Sequence, residues 1–287
     1  MNSVQEGRAL SPKAPLRIAG PLKRRLRWEG PALSGPRIRV RRSTRRWTLP
    51  WLLLTSCLFA GLVSAAERPN IIFILSDDHT SQAWGVYGGG LDPVIDNPSI
   101  DRLAREGALL PNVFCANSIC TPSRATILTG QFSHQNGVYT LADALDPARV
   151  TVAGRLQQAG YQTALFGKWH LKTQPQGFDT FRVLPGQGRY RNPLLKGPDN
   201  WVDGHAGGEP VEGFSSAVIA DLSMEWLDQR DPDEPFMLMC HFKATHEPFD
   251  YPERNAELYA DVEMPEPASL YEFGPESSGR TFDGQPL

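Results

Sequence analysis

Four short clusters in this chain bring together residue types that do chemistry. Ser76-Asp77-Asp78-His79 sets two carboxylates side by side. Adjacent carboxylates suit a hard divalent cation that prefers oxygen ligands. Cys120-Thr121-Pro122-Ser123-Arg124 places a thiol and a fixed cation close together. Pro122 suits the start of a helix running through Ala125-Thr126-Ile127-Leu128. Cys120 then sits at a helix N-terminus, where unpaired N–H groups and the dipole favour anions. Arg124 adds a planar fork able to grip a tetrahedral oxyanion. Gly167-Lys168-Trp169-His170 and Thr245-His246-Glu247-Pro248-Phe249 contribute a lysine and two histidines. Each cluster alone also has an ordinary reading. The Asp pair suits a solvated turn, Cys120 a buried structural thiol or a thiolate nucleophile, and a lone His a core or surface position. Converging, the four would bind a metal and a dianion and carry out acid/base chemistry.

The elements around these clusters are what would bring them together. Ile71–Leu75 is a continuous apolar run and predicts a buried, parallel-type strand that ends at the Asp pair. Tyr161–Phe166 predicts a strand ending at Gly167, and Phe236–Phe242 predicts another ending before His246. Helices are expected over 97–107, capped by Asn97 and ended by Gly107, with Ile100, Leu103 and Ala104 on one face. Others are expected over 122–128, 151–159 and 215–229, the last with Ile219, Leu222 and Trp226 on one face. Residues 184–213 read as a long Gly/Pro-rich loop containing Trp201 and His205, and loops of that length are usually functional. Strands alternating with helices predict an α/β fold around a largely parallel sheet. Ligands bind such sheets beyond the carboxyl ends of the strands, where all four clusters fall.

The 287 residues have 40% hydrophobic and 21% charged content, a globular composition. Four Cys exclude a disulfide-dense scaffold. The net charge of −3 hides an asymmetry. Residues 1–46 hold 13 Lys/Arg against 2 Glu, and the remainder holds 16 Lys/Arg against 30 Asp/Glu. The folded part is therefore acidic and a poor match for nucleic acid. Gly85–Gly90 lacks the G-x-G-x-x-G spacing of a dinucleotide site. Residues 1–46 read as a basic, disordered or over-extended N-terminus. Residues 47–65 read as a secretory signal core and cleavage region, too short and Pro-broken for a stable membrane span. Within it Leu54-Thr55-Ser56-Cys57 resembles a lipoprotein box, and Thr44-Arg45-Arg46 weakly resembles a twin-arginine signal. The expected product is an exported protein, periplasmic or extracellular, made of residues 66–287. It keeps Cys115, Cys120 and Cys240, an odd number that asks a special role of one.

The clusters, with Cys120–Arg124 running into ATILTG (125–130), resemble the type I sulfatases of the alkaline phosphatase superfamily. His134-Gln135-Asn136-Gly137, GKWHLK, Leu184–Gly188 with Tyr190 and Asn192-Pro193, and the Pro235–His246 stretch are similar to bacterial N-acetylglucosamine-6-sulfatases. The resemblance implies an alkaline phosphatase-like fold, with a large, mostly parallel sheet flanked by helices. It implies conversion of Cys120 to Cα-formylglycine by a formylglycine-generating enzyme. The hydrated aldehyde attacks sulfur with one hydroxyl and releases the covalent sulfate with the other. Asp77, Asp78 and residue 120 are implied as Ca²⁺ ligands, Arg124 as the formylglycine partner and Lys168 as a sulfate-binding cation. His170 would serve the gem-diol and His246 would protonate the leaving oxygen. The 185–193 loop reads equally as a sugar contact and as a structural Ω-loop.

Family members are longer, and their later part supplies further calcium ligands and a second sulfate-binding lysine. The expectation is therefore a fragment of the catalytic domain from a longer gene, rather than a degenerate sulfatase. Two other functions stand beside the sulfate ester hydrolase. One is a truncated, non-catalytic module that binds sulfated glycans. The other is a phosphate or phosphonate ester hydrolase of the same superfamily.

Overall fold

Asn70 ends the polar approach and Ile71–Asp77 enters as strand β1 of a four-stranded parallel sheet. Residues 68–266 are described by the structure, a computed structural model. The expectations for residues 1–46 and for the 47–65 leader lie outside them. After β1 come helices α1 (Pro98–Glu106), α2 (Cys120–Thr129), the short α3 (Ser133–Asn136) and α4 (Val152–Gln158). Strand β2 (Gln162–Lys168) is followed by β3 (Thr180–Leu184), and a small hairpin pairs β4 (Leu194–Leu195) with β5 (Glu209–Pro210). Helix α5 (Ser215–Gln229) and the long strand β6 (Phe236–Thr245) complete the order. The sheet runs β1-β6-β2-β3, and every pairing is parallel.

Strict alternation of side chains across the sheet builds two cores. Leu165, Met237, Met239, Phe181 and Val183 point to one face and pack with Ala125 and Leu128 of α2 and Ala153 of α4. Ala164, Phe166, Leu238 and Cys240 point to the other and pack with Val218 and Ile219 of α5. Strands β2 and β6 are buried on both faces, which explains their unbroken apolar sequence. Strand β1 departs from that expectation. Ile71 and Phe73 pack against the first core, but Ile72 is 52% exposed and Ile74 63%. Helix α5 packs on β6 and β2, and among the described residues no element covers this side of β1.

Other expectations shift by a few residues for identifiable reasons. Thr151 caps α4 by accepting from the Gly154 amide at 3.1 Å. Asn97 does not cap α1; its amide donates to the Ala83 carbonyl at 3.2 Å instead. None of the residues of α1 is buried, so its expected apolar face is open among the described residues, with Leu103 58% exposed. Helix α2 begins at Cys120, two residues before the Pro-based start. Strands β2 and β6 run on to Lys168 and Thr245, because their polar ends still pair: Gly167 faces His241 and Asp77 faces Thr245. The 184–213 stretch contains the β4–β5 hairpin rather than loop alone. Among the described residues no helix is long and apolar enough to cross a membrane.

Candidate active site

The parallel sheet delivers β1, β6 and β2 with their carboxyl ends together: Asp77 pairs with Thr245, and Lys168 follows Gly167, the partner of His241. Asp78 and His170 follow their strands with left-handed φ of 54° and 55°, turning the chain sharply at each strand end. Non-glycine residues pay strain for this conformation, and such strain concentrates at functional sites. Helix α2 packs below, with Cys120 as its first residue and no side-chain cap on Ile119. The first-turn N–H groups of α2 therefore remain unclaimed by a cap, as anion binding requires. A cavity of about 400 Å³ opens here, lined among others by Asp77, Asp78, Cys115, Cys120, Ser123 and Arg124. A cavity of about 260 Å³ beside α4 contains none of the four clusters.

Arg124 is 3% exposed and held on three sides. It donates to the Lys168 carbonyl at 2.5 Å, lies 3.3 Å from His241 Nδ1, and approaches Asp77 at 3.6 Å. Burial pushes its guanidinium below the ordinary value, and Asp77 and Cys120 oppose that push. Lys168 is fully buried and donates to both Asp77 Oδ2 and Gln187 Oε1. Burial lowers its ammonium too, again against Asp77. Because lysine only donates, the Gln187 amide must present its oxygen there and its NH₂ to Cys120 Sγ, at 4.0 Å. Gln187 thus spans the thiol and the lysine. The Asp77 carboxylate is thus paired with two buried cations at this end of the sheet.

His170 is buried and its ring is lowered to about 3, first by burial and then by Lys168. It is therefore a neutral imidazole at physiological pH, and its Nδ1 is buried without a hydrogen-bond partner. Its ring meets His205 edge-on at 5.4 Å, and Thr121 Oγ1 ties its carbonyl to α2 at 3.0 Å. His246 reaches the other carboxylate, with Nε2 3.5 Å from Asp78 Oδ2. His241, also lowered to about 3 by burial and Arg124, braces Arg124 from β6.

All seven expected site residues, Asp77, Asp78, Cys120, Arg124, Lys168, His170 and His246, lie at this end of the sheet. Gln187, Tyr190, His241 and Lys243 join them without an expected role, Gln187 and Tyr190 having been named only within the stretch that carries the family resemblance. Gln187 lay between two glycines of the flagged 185–193 loop. Gly186 and Gly188 take φ of 56° and 70°, which lets that loop fold back over Lys168. His241 was hidden inside the apolar run 236–242, and Lys243 stood just past its expected end, where only pairing reveals the neighbours.

The metal expectation meets only part of its donor set. Asp77 and Asp78 offer hard oxygens, but a thiol at residue 120 is a soft ligand. Among the described residues no group of three or more His, Cys, Asp or Glu stands ready to hold a metal ion. Two carboxylates, with an oxygen at residue 120 after oxidation, are part of the six to eight oxygens that calcium takes.

Comparison with known proteins agrees with this geometry. A family model described as Sulfatase matches residues 69–272. The chain is 43% identical over 209 residues to an N-acetylglucosamine-6-O-sulfatase of Bacteroides thetaiotaomicron, covering 72% of this chain and 36% of that protein. It is 31% identical over 219 residues to the human N-acetylgalactosamine-6-sulfatase, covering 66% and 41%. The structure superposes with TM-score 0.66 and 40% identity on BT4656 in complex with its substrate D-glucosamine-2-N,6-O-disulfate, covering 72% of this chain and 40% of that one. A putative sulfatase of Bacteroides fragilis shares the fold at TM-score 0.57 and 20% identity. The chain thus spans about half or less of the length of these relatives. With its motifs gathered at one sheet end and the family model spanning most of its length, the chain belongs to the sulfatase family and has the alkaline phosphatase-like α/β fold.

Proposed function

We propose that this chain carries the nucleophile-bearing part of an exported, calcium-dependent hydrolase of glycan sulfate esters, of the N-acetylglucosamine-6-sulfate type. The observation that carries the reading is Cys120 at the open N-terminus of α2, lining one cavity with Asp77, Asp78 and Arg124, with buried Lys168 behind it on Asp77. Similarity to an N-acetylglucosamine-6-O-sulfatase supports the sugar class. The apolar run 47–63 with its basic approach supports export.

Residue 120, once converted by a formylglycine-generating enzyme, would supply the hydroxyl that attacks sulfur. Asp77, Asp78 and that residue would hold Ca²⁺, which would supply positive charge to the site. The chain's own groups do the rest. Arg124 and Lys168 hold the sulfate and offset the charge that grows on it in the transition state. His170, a neutral imidazole, would take a proton from a hydroxyl of residue 120. His246 Nε2 delivers a proton to the sugar oxygen as the S–O bond breaks.

The test is sulfate release from N-acetylglucosamine-6-sulfate by the chain produced with a formylglycine-generating enzyme. Cys120→Ala is expected to lower turnover roughly 1,000-fold or more, the order lost with a covalent nucleophile, with the circular dichroism spectrum unchanged. Undiminished release by that variant would sink the reading. Binding of sulfated glycans without cleavage is the second reading, favoured by the partial calcium donor set among the described residues. Retained glycan binding with no sulfate release from the wild-type chain selects it.

A further inference from the structure

His246 sits in a clamp built from residues outside the four clusters. Its Nδ1 lies 2.9 Å from the Glu247 carbonyl oxygen. A carbonyl only accepts, so Nδ1 carries the proton and Nε2 is the nitrogen left facing the site. The same Glu247 carbonyl accepts from Lys243 Nζ at 2.9 Å. The Tyr190 hydroxyl donates to the carbonyl of His246 itself. The two clamp residues also touch each other, with the Lys243 ammonium 4.8 Å from the Tyr190 ring centroid. Lys243 is 2% exposed and Tyr190 3%. Burying a lysine costs free energy unless its charge is used, and here it holds a backbone carbonyl and an aromatic face.

The clamp has a rigid base. Tyr190 stacks on Phe214 at 5.3 Å, and its carbonyl accepts from Ser215 N at 2.7 Å, at the start of α5. The neighbouring Arg191 pairs with Asp250 at 3.0 and 3.1 Å. The segment after His246 is therefore gripped from loop 185–193 at both ends, and from β6 in the middle.

We infer that Lys243 and Tyr190 are positioning residues for His246, fixing its backbone and holding its ring as the Nδ1–H tautomer with Nε2 turned to the leaving oxygen. The inference rests on the sulfate-ester reading. When the S–O bond breaks, its electron pair goes to the sugar oxygen, and the proton it needs comes from Nε2 of His246 in its imidazolium form, which leaves the ring as the neutral Nδ1–H tautomer that the Glu247 carbonyl holds. A sugar alkoxide is a poor leaving group and depends on that proton. A nitrophenolate leaves readily without it. A misplaced His246 therefore slows sugar sulfates and spares activated aryl sulfates, whereas general loosening of the fold slows both.

The test uses the full chain labelled with ¹⁵N-histidine, with His246 resonances assigned through His246→Gln. The wild type is expected to show the Nδ1–H tautomer at His246. Lys243→Met and Tyr190→Phe are expected to give mixed tautomers, and Lys243→Arg, which keeps a donor, to restore the wild-type spectrum. In parallel, kcat on N-acetylglucosamine-6-sulfate should fall about tenfold or more with KM unchanged, while kcat on 4-nitrophenyl sulfate stays within about threefold. An unaltered Nδ1–H tautomer in both folded variants, or equal losses on both esters, overturns the inference. If Lys243→Met fails to fold, Tyr190→Phe and Lys243→Arg decide the outcome. A wild-type chain that hydrolyses neither ester defeats the sulfate-ester reading, and the tautomer spectrum still decides the clamp.

Discussion

Arg124 shows how much of this site depends on one side chain having the right shape. Its fork meets the Lys168 carbonyl, His241 and Asp77 at once. A lysine would keep the charge but lose the planar array of donors. Arg124→Lys is therefore expected to lower kcat/KM for a sulfate ester about 100-fold while the chain stays folded, as measured by steady-state kinetics beside circular dichroism. The residues that touch one another here were legible in the sequence to different degrees. Asp77, Cys120, Arg124 and Lys168 were legible because each stands at a strand end or helix start, where chemistry concentrates. Gln187, Tyr190 and Lys243 were not. Their roles arise from contacts to Lys168, His246 and Glu247, and no spacing in the sequence encodes those contacts.

At the scale of elements, the site is registered by the close approach of β2 and β6. Gly167 sits at φ 104° opposite His241, and a Cβ there would lie 1.9 Å from the His241 carbonyl oxygen. Gly167→Ala must separate the two central strands that carry Lys168, His241 and Lys243. A loss of about 3 kcal/mol or more in urea unfolding is expected, since strain and a backbone clash combine. A melt indistinguishable from wild type would mean the strands are not held this closely. The parallel strands and α5 were readable from apolar runs and helical periodicity. Strand ends were misplaced because Gly167-Lys168 and Lys243–Thr245 look like loop by composition yet still pair in the ladder. The openness of β1 was also not readable, because Ile72 and Ile74 are as apolar as residues that are buried. Burial of a strand face is decided by what packs on it.

For the whole molecule, two neutral histidines in the interior make stability depend on pH. His170 and His241 are lowered from 6.5 to about 3 in the folded chain. Between those values the unfolded chain binds protons that the folded chain refuses. Their contribution is therefore complete above about pH 6.5 and is lost as pH falls toward 3. The urea midpoint is expected to drop between pH 7 and pH 4, and His241→Gln should flatten the decline. An equal slope in that variant would show that His241 is not the group resisting protonation.

The account turns on the state of residue 120, and one mass measurement reads it. Trypsin cleavage after Arg105 and Arg124 releases a peptide holding both Cys115 and Cys120. The protein should be made with a formylglycine-generating enzyme and treated with a thiol alkylator before digestion. The account predicts alkylation at Cys115 alone and a mass at residue 120 about 18 Da below that of cysteine, as an aldehyde in place of the thiol carbon requires. Alkylation at both cysteines, in a preparation that still releases sulfate, would contradict it.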